Sequence, residues 1–180
     1  ARLSTIIIDA AGGNLFVTLL YTALISLVLG CGMPSVGVYL VLVTTVIPAL
    51  VDLGVMPVAA HFFAFYFAVI SNITPPVCVA AFAGAAIAEA PPMKTGIKAF
   101  VFGIAAYIIP FLFVYNPALL WVGSAGSIIV SCVHGLLSVV SLACAINGFL
   151  FKRMSPLERL LAFAAAVMLV IPDMTCDIIG

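Results

Sequence analysis

The chain has 180 residues, 66% of them hydrophobic and 7% charged, with six Lys/Arg balanced by six Asp/Glu. About a quarter of residues are charged in soluble domains, so this composition is that of an integral membrane protein. The zero net charge leaves no basic field for nucleic acid and no acidic tail for a charged partner, and nucleic-acid binding is excluded.

The first residues lack the basic flank, apolar run and small-residue cleavage site of a signal peptide, and the chain opens at Ala1 without Met; it reads as a piece of a longer polypeptide. Apolar stretches follow at about 15–29, 36–51, 56–70, 77–90, 99–121, 126–151 and 157–171, punctuated by Gly, Pro or charge. A helix needs about 20 residues to cross about 30 Å of hydrocarbon. The stretches 99–121 and 126–151 meet this length, and 157–171 does so with its flanks. The five cysteines are scattered through apolar sequence with no C-x-x-C pair and read as small packing residues.

Stretches 15–29 and 36–51 are short for a span and meet at GCGMPS, residues 30–35. Gly30 and Gly32 permit positive φ and Pro34 pre-sets a helix start, which favours a re-entrant hairpin whose tip unwinds and restarts at once. An ordinary turn between two full spans is the competing reading. Stretches 56–70 and 77–90 flank SNITPP, residues 71–76, and together are too long for one straight span and too short for two. One broken helix fits. Pro75 and Pro76 lack the N–H of an unbroken helix and their rings clash with the preceding turn. The residue before each proline, here Thr74 and Pro75, is pushed towards extended backbone.

No Lys or Arg lies between Arg2 and Lys94; Lys94 and Lys98 then share one short loop, and Lys152, Arg153 and Arg159 another. The positive-inside rule places both loops in the cytoplasm. The broken helix then ends inside, the hairpin enters and leaves from outside, and the segment after residue 172 is outside.

The catalytic inventory is thin. His61, in AAHFFAFYF, has Asp52 as its nearest carboxylate in sequence and reads as an interfacial or packing residue, and His134 has no acidic neighbour. H-E-x-x-H, G-x-S-x-G and Gly-rich phosphate loops are absent. What remains is the pair of breaks. Their freed carbonyl and hydroxyl oxygens suit a hard cation, Na+ in particular because neither break contains a carboxylate to carry a proton. Half-helix N-termini at Ser35 and after Pro76 attract an anion through their dipoles. Two packing kinks are the alternative at this point.

The run GCGMPSVGVYLVLVTTVIPALVDLGVMPVAAHFFAFYFAVISNITPPVCVAAFAGAAIA resembles the large membrane subunit of tripartite ATP-independent periplasmic (TRAP) transporters, especially the fused permeases that work with TAXI-type binding proteins. The G-M-P tip, the G-x-x-P-x-x-A-H start and the I-T-P-P-V break occur in order. PPMKTGIKAFVFGIAAYIIPFLFVYNPALL continues the likeness, and SPLERLLAFAAAVMLVIPD is similar to the closing helices of the fused form.

The resemblance implies an all-α integral membrane fold of the elevator type. Residues 1–95 would carry the second hairpin and broken helix of the transport domain, and 96–180 three further transmembrane helices. It implies Na+-driven transport of small organic anions, carboxylates or acidic amino acids, across a bacterial inner membrane or an archaeal membrane. There would be no enzymatic activity and no cofactor beyond the coupling ion. The implied partners are a periplasmic solute-binding protein, membrane lipid, and the rest of the same permease, which would hold the first hairpin and its broken helix. Carried over by position, the Na+ ligands are carbonyls around Gly30, Gly32 and Met33 together with Asn72, Thr74 and Pro75. Ser35, Ser71 and Asn72 fall on the substrate side. A Na+/anion elevator symporter without a binding protein and a non-transporting membrane scaffold are the rival functions.

Overall fold

The structure, a computed structural model, describes residues 9–150 and 152–170. The regular elements among the described residues are all helical, and the extended pairing is an isolated bridge between Phe149 and Arg153. The chain divides into two compact units, with the boundary between Phe100 and Val101.

The first unit opens with α1, Leu15–Gly30, which starts where the Asn14 side chain accepts from the Val17 N–H at 3.2 Å. A four-residue turn leads into α2, Ser35–Thr45, followed by α3, Ile47–Asp52, and α4, Pro57–Ile70. The expected single arm over 36–51 is thus two segments. Pro48 has no N–H to give back to the preceding turn, and the Thr44 and Thr45 hydroxyls both bond to Val41 O, at 3.0 and 2.7 Å. After a 3-10 turn at Ser71–Ile73 the chain restarts as α5, Val79–Ile87, and then α6, Pro92–Gly103. Here the charge pattern misleads: Lys94 and Lys98 lie within α6 rather than in a loop, because Pro92 opens the helix at the position where a missing N–H costs nothing.

α1 and α4 pack on each other, and the buried face of each is built from small residues four apart: Thr18, Thr22 and Ser26 on α1, and Ala60, Ala64 and Ala68 on α4. Small residues at this spacing let helix backbones approach closely in lipid, where no hydrophobic drive joins helices. The hydroxyls do not burden this face. Thr18 donates to Asn14 O at 2.9 Å, Thr22 to Thr18 O at 2.8 Å and Ser26 to Thr22 O at 2.6 Å, each bonding within its own helix. Phe63 and Phe67 complete the α4 face with rings 5.0 Å apart.

The second unit holds a 3-10 segment at Ile104–Ile108, α7 at Ile109–Tyr115, a 3-10 turn at Pro117–Leu120, α8 at Ala125–Asn147 and α9 at Pro156–Val170. The run Pro92–Tyr115, of 24 residues, and α8, of 23, are long and apolar enough to cross a membrane. α9 is 15 residues, about 22 Å; residue 171, the end of the expected third span, lies outside the described residues. α8 and α9 pair around Leu142 and Ala166, with the buried Ser138 hydroxyl donating to Ala166 O at 2.9 Å. α8 stops at Gly148, whose φ of 67° closes the helix with an N–H to Cys144 O at 2.8 Å. Arg159 satisfies the last carbonyls: Nε donates to Ala145 O and Nη2 to Ile146 O, both at 2.8 Å. Ser155 and Glu158 cap α9 reciprocally.

Candidate functional site

Two helix ends meet in the first unit. α1 finishes at Gly30 and α4 at Ile70, and a Cβ placed on Gly30 would overlap the side chain of Ser71. The expectation that Gly30 and Gly32 supply positive φ is corrected here, since neither takes one. Gly30 is needed instead for its missing side chain, because the hairpin tip rests directly on the helix break.

Ser71 is 5% exposed, and its hydroxyl donates to Ala68 O at 2.8 Å. The Asn72 amide uses both of its N–H groups: Nδ2 donates to Val69 O at 2.9 Å and across to Ser35 Oγ at 2.9 Å. Val69 O can only accept, which fixes the orientation of the amide. Asn72 Oδ1 makes no hydrogen bond among the described residues. Thr74 is extended as expected, with φ −97° and ψ 122°; its N–H reaches Ser71 O at 3.0 Å and its hydroxyl Ile70 O at 2.8 Å. The Pro75–Pro76 peptide is cis. Cys78, at φ 26° and fully buried, ends the break with its sulfur set against Gly96 of α6, where a Cβ would overlap it.

The structure therefore brings Gly30, Ser35, Ser71 and Asn72 together and places Thr74 and Pro75 on the same break. Gly32 and Met33 lie in the turn of the tip, their N–H groups bonding back to Leu29 O at 3.0 and 3.1 Å. Among the described residues no backbone hydrogen bond ends on the carbonyls of Gly30, Gly32 or Met33. α2 begins at Ser35 behind Pro34, and α5 begins behind Cys78, neither with a side-chain cap, so first-turn N–H groups remain at both restarts.

The electrostatics follow from backbone alone. Residues 26–51 and 53–88 contain no charged side chain. Two helix C-termini converge at Gly30 and Ser71, each equivalent to about half a negative charge, with the positive end of α2 one turn away at Ser35. Among the described residues no cluster of three or more His, Cys, Asp or Glu could hold a metal ion, and the oxygens at this point are neutral.

Sequence reasoning missed one participant. Tyr39 Oη lies 2.8 Å from His61 Nδ1, and its ring meets Phe65 edge-on at 5.5 Å. His61, read as a packing or interfacial residue, is a polar bridge from α4 to α2. The available signal was spacing, since Tyr39 follows Ser35 by one helical turn and shares its face.

An all-α chain with membrane-length helices and a hairpin docked on a discontinuous helix is a membrane protein with the architecture used by secondary transporters. The family model described as tripartite ATP-independent periplasmic transporter, DctM component, matches residues 1–128, and the chain belongs to that family. Its members are solute transporters, not enzymes, and normally work with a periplasmic binding protein and a small subunit. No curated protein and no solved structure matches the chain significantly. The matched stretch contains both breaks and ends inside α8, so the likeness noted for SPLERLLAFAAAVMLVIPD lies beyond it.

Proposed function

We propose that this chain is the half of a TRAP-type permease that frames one Na+ site and one wall of the substrate site. The permease carries small organic anions, carboxylates or acidic amino acids, across the inner membrane with Na+, on delivery by a periplasmic binding protein of the TAXI type. The observation that carries this is the docking of the GCGMPS tip on the SNITPP break, with Gly30 against Ser71 and Asn72 Nδ2 bonded to Ser35 Oγ at 2.9 Å.

Two convergent helix C-termini favour a cation, and neutral carbonyl and amide oxygens suit one that is hard and monovalent. The ligands are the carbonyls of Gly30, Gly32 and Met33 with Asn72 Oδ1, Thr74 and Pro75. Ser35, Ser71 and Asn72 stand on the substrate side, where the positive end of α2 attracts a carboxylate. The hairpin is re-entrant from the outside, and the first hairpin, on the rest of the permease, supplies the opposite wall.

The full-length permease in proteoliposomes tests this. Thr74→Val and Asn72→Leu are each expected to abolish Na+-dependent uptake at normal expression, and unchanged uptake in both refutes the site. Wild-type uptake without any binding protein replaces the tripartite mechanism by a simple symporter.

A further inference from the structure

Apart from the tip, a second polar bridge joins the hairpin to the broken helix. We infer that Tyr39 and His61 form a latch that holds the second arm of the hairpin on α4 and so positions the tip at Ser71 and Asn72. Both are positioning residues; neither belongs to the ion or substrate ligands proposed above.

The placement carries the argument. Ser35 and Tyr39 are one turn apart on α2, and His61 and Phe65 one turn apart on α4, with Asn72 about two turns further along the same side. The contacts form a single seam: Ser35 to Asn72 at 2.9 Å, Tyr39 edge-on to Phe65 at 5.5 Å, then Tyr39 Oη to His61 Nδ1 at 2.8 Å. The bond forms with Tyr39 donating to an Nε2-protonated ring or accepting from an Nδ1-protonated one.

Apolar packing and polar bridges together anchor α2. Its buried residues are Val38 and Leu42, while Val36, Leu40 and Val41 are exposed. Apolar packing leaves the register of the arm adjustable, and the two directional polar bridges fix it on α4. The latch also has room to open. An open groove of about 340 Å³ lined by Tyr39, His61, Phe62 and Phe65 adjoins the pair and gives the two side chains space to move apart. When they part, Ser35 is the remaining polar tie between the arm and the broken helix among the described residues, and the tip is freer to leave the break.

The transport consequence rests on the Na+ site proposed above; the structural one does not, and the two are read separately. Cys31, in the turn of the tip and half-buried, reports tip release by its rate of reaction with N-ethylmaleimide. The measurement uses the full permease with its other cysteines replaced by serine. Tyr39→Phe keeps the ring contact with Phe65 and removes only the bridging oxygen. It is expected to accelerate Cys31 modification about fivefold, the factor that the net worth of one hydrogen bond gives. His61→Leu should do the same. His61→Asn, whose amide occupies the place of Nδ1, should restore the wild-type rate.

In uptake, Tyr39→Phe should raise the half-saturating Na+ concentration by a similar factor with a smaller change in maximal rate. Cys31 modified at the wild-type rate in Tyr39→Phe overturns the latch, as does equal acceleration in His61→Leu and His61→Asn. Should Tyr39→Phe fail to insert, the two His61 variants decide alone. A wild-type permease that is indifferent to Na+ defeats the proposed ion coupling, while the modification rates still settle the latch.

Discussion

Gly30→Ala is the sharpest perturbation of the proposed site because it adds one carbon where the two breaks touch. Gly30 ends α1 without a positive φ, so alanine is conformationally tolerated, and helix propensity alone would favour it by up to about 1 kcal/mol. Any loss must then be steric. The new Cβ would overlap Oγ and Cβ of Ser71, a side chain 5% exposed and held to Ala68 O at 2.8 Å, which cannot swing aside without giving up that bond. Overpacking of this kind costs about 1–3 kcal/mol. Relieved by lifting the tip, it depletes the docked state by about 5- to 150-fold, at 1.4 kcal/mol per factor of ten. Na+-dependent uptake by the full permease should fall accordingly, with the half-saturating Na+ concentration raised. Ser71→Gly in the same chain removes both overlapped atoms and should recover most of the loss, a coupling of about 1–3 kcal/mol in a double-mutant cycle. Wild-type uptake in Gly30→Ala, or a double variant no better than the single one, would refute the docking of tip on break.

The Thr74→Val, Asn72→Leu and Tyr39→Phe outcomes stand beside this one and share its assay. In the second unit, Arg159→Ala removes both donors to the carbonyls at the end of α8 and should cost about 1–3 kcal/mol, seen as a lower melting temperature in detergent by circular dichroism. Arg159→Lys should recover only part of it, since an ammonium offers no planar fork for two carbonyls. Ser138→Ala should cost only about 0.6 kcal/mol, a typical interhelical hydrogen bond between membrane helices. Ser138→Leu, at a position 1% exposed, should cost about 1–3 kcal/mol by overpacking.

The breaks were legible because their causes are local. Pro75 and Pro76 remove helix donors wherever they stand, and the observed helix ends at Ile70 and restarts at Val79 follow from that chemistry. The hairpin turn was legible for the same reason, with Pro34 setting the start of α2 at Ser35. Long-range contacts were not legible. Gly30 invites an explanation by backbone freedom, yet its role is set by Ser71, which is distant in sequence and adjacent in space. Tyr39 and His61 lie 22 residues apart in chemically ordinary surroundings, and only the register between α2 and α4 makes them partners. Lys94 and Lys98 show the opposite failure. Charge next to a proline pair suggests a loop, but Pro92 at a first helical position starts α6 there instead.

The distribution of acceptors supports the position of the proposed site. In hydrocarbon every polar group must be satisfied within the protein. Along the packed faces of α1 and α4 the hydroxyl donors are satisfied locally: Thr18, Thr22 and Ser26 bond back into their own helix, and the buried face of α4 carries Ala60, Ala64 and Ala68. The two helices thus pack through small buried residues whose hydroxyl donors are satisfied. Where both end, the carbonyls of Gly30, Gly32 and Met33 and Asn72 Oδ1 have no hydrogen-bond partner among the described residues. A kink that served packing alone would close these acceptors with a serine or threonine hydroxyl, as Thr74 does for Ile70 O and Ser71 for Ala68 O within the same break. The chain thus has the means to satisfy such oxygens, uses them on the neighbouring carbonyls, and leaves these four open at the junction of two negative helix ends. That arrangement is costly in lipid unless something positive occupies it, which is the physical ground for the cation in the site proposed above.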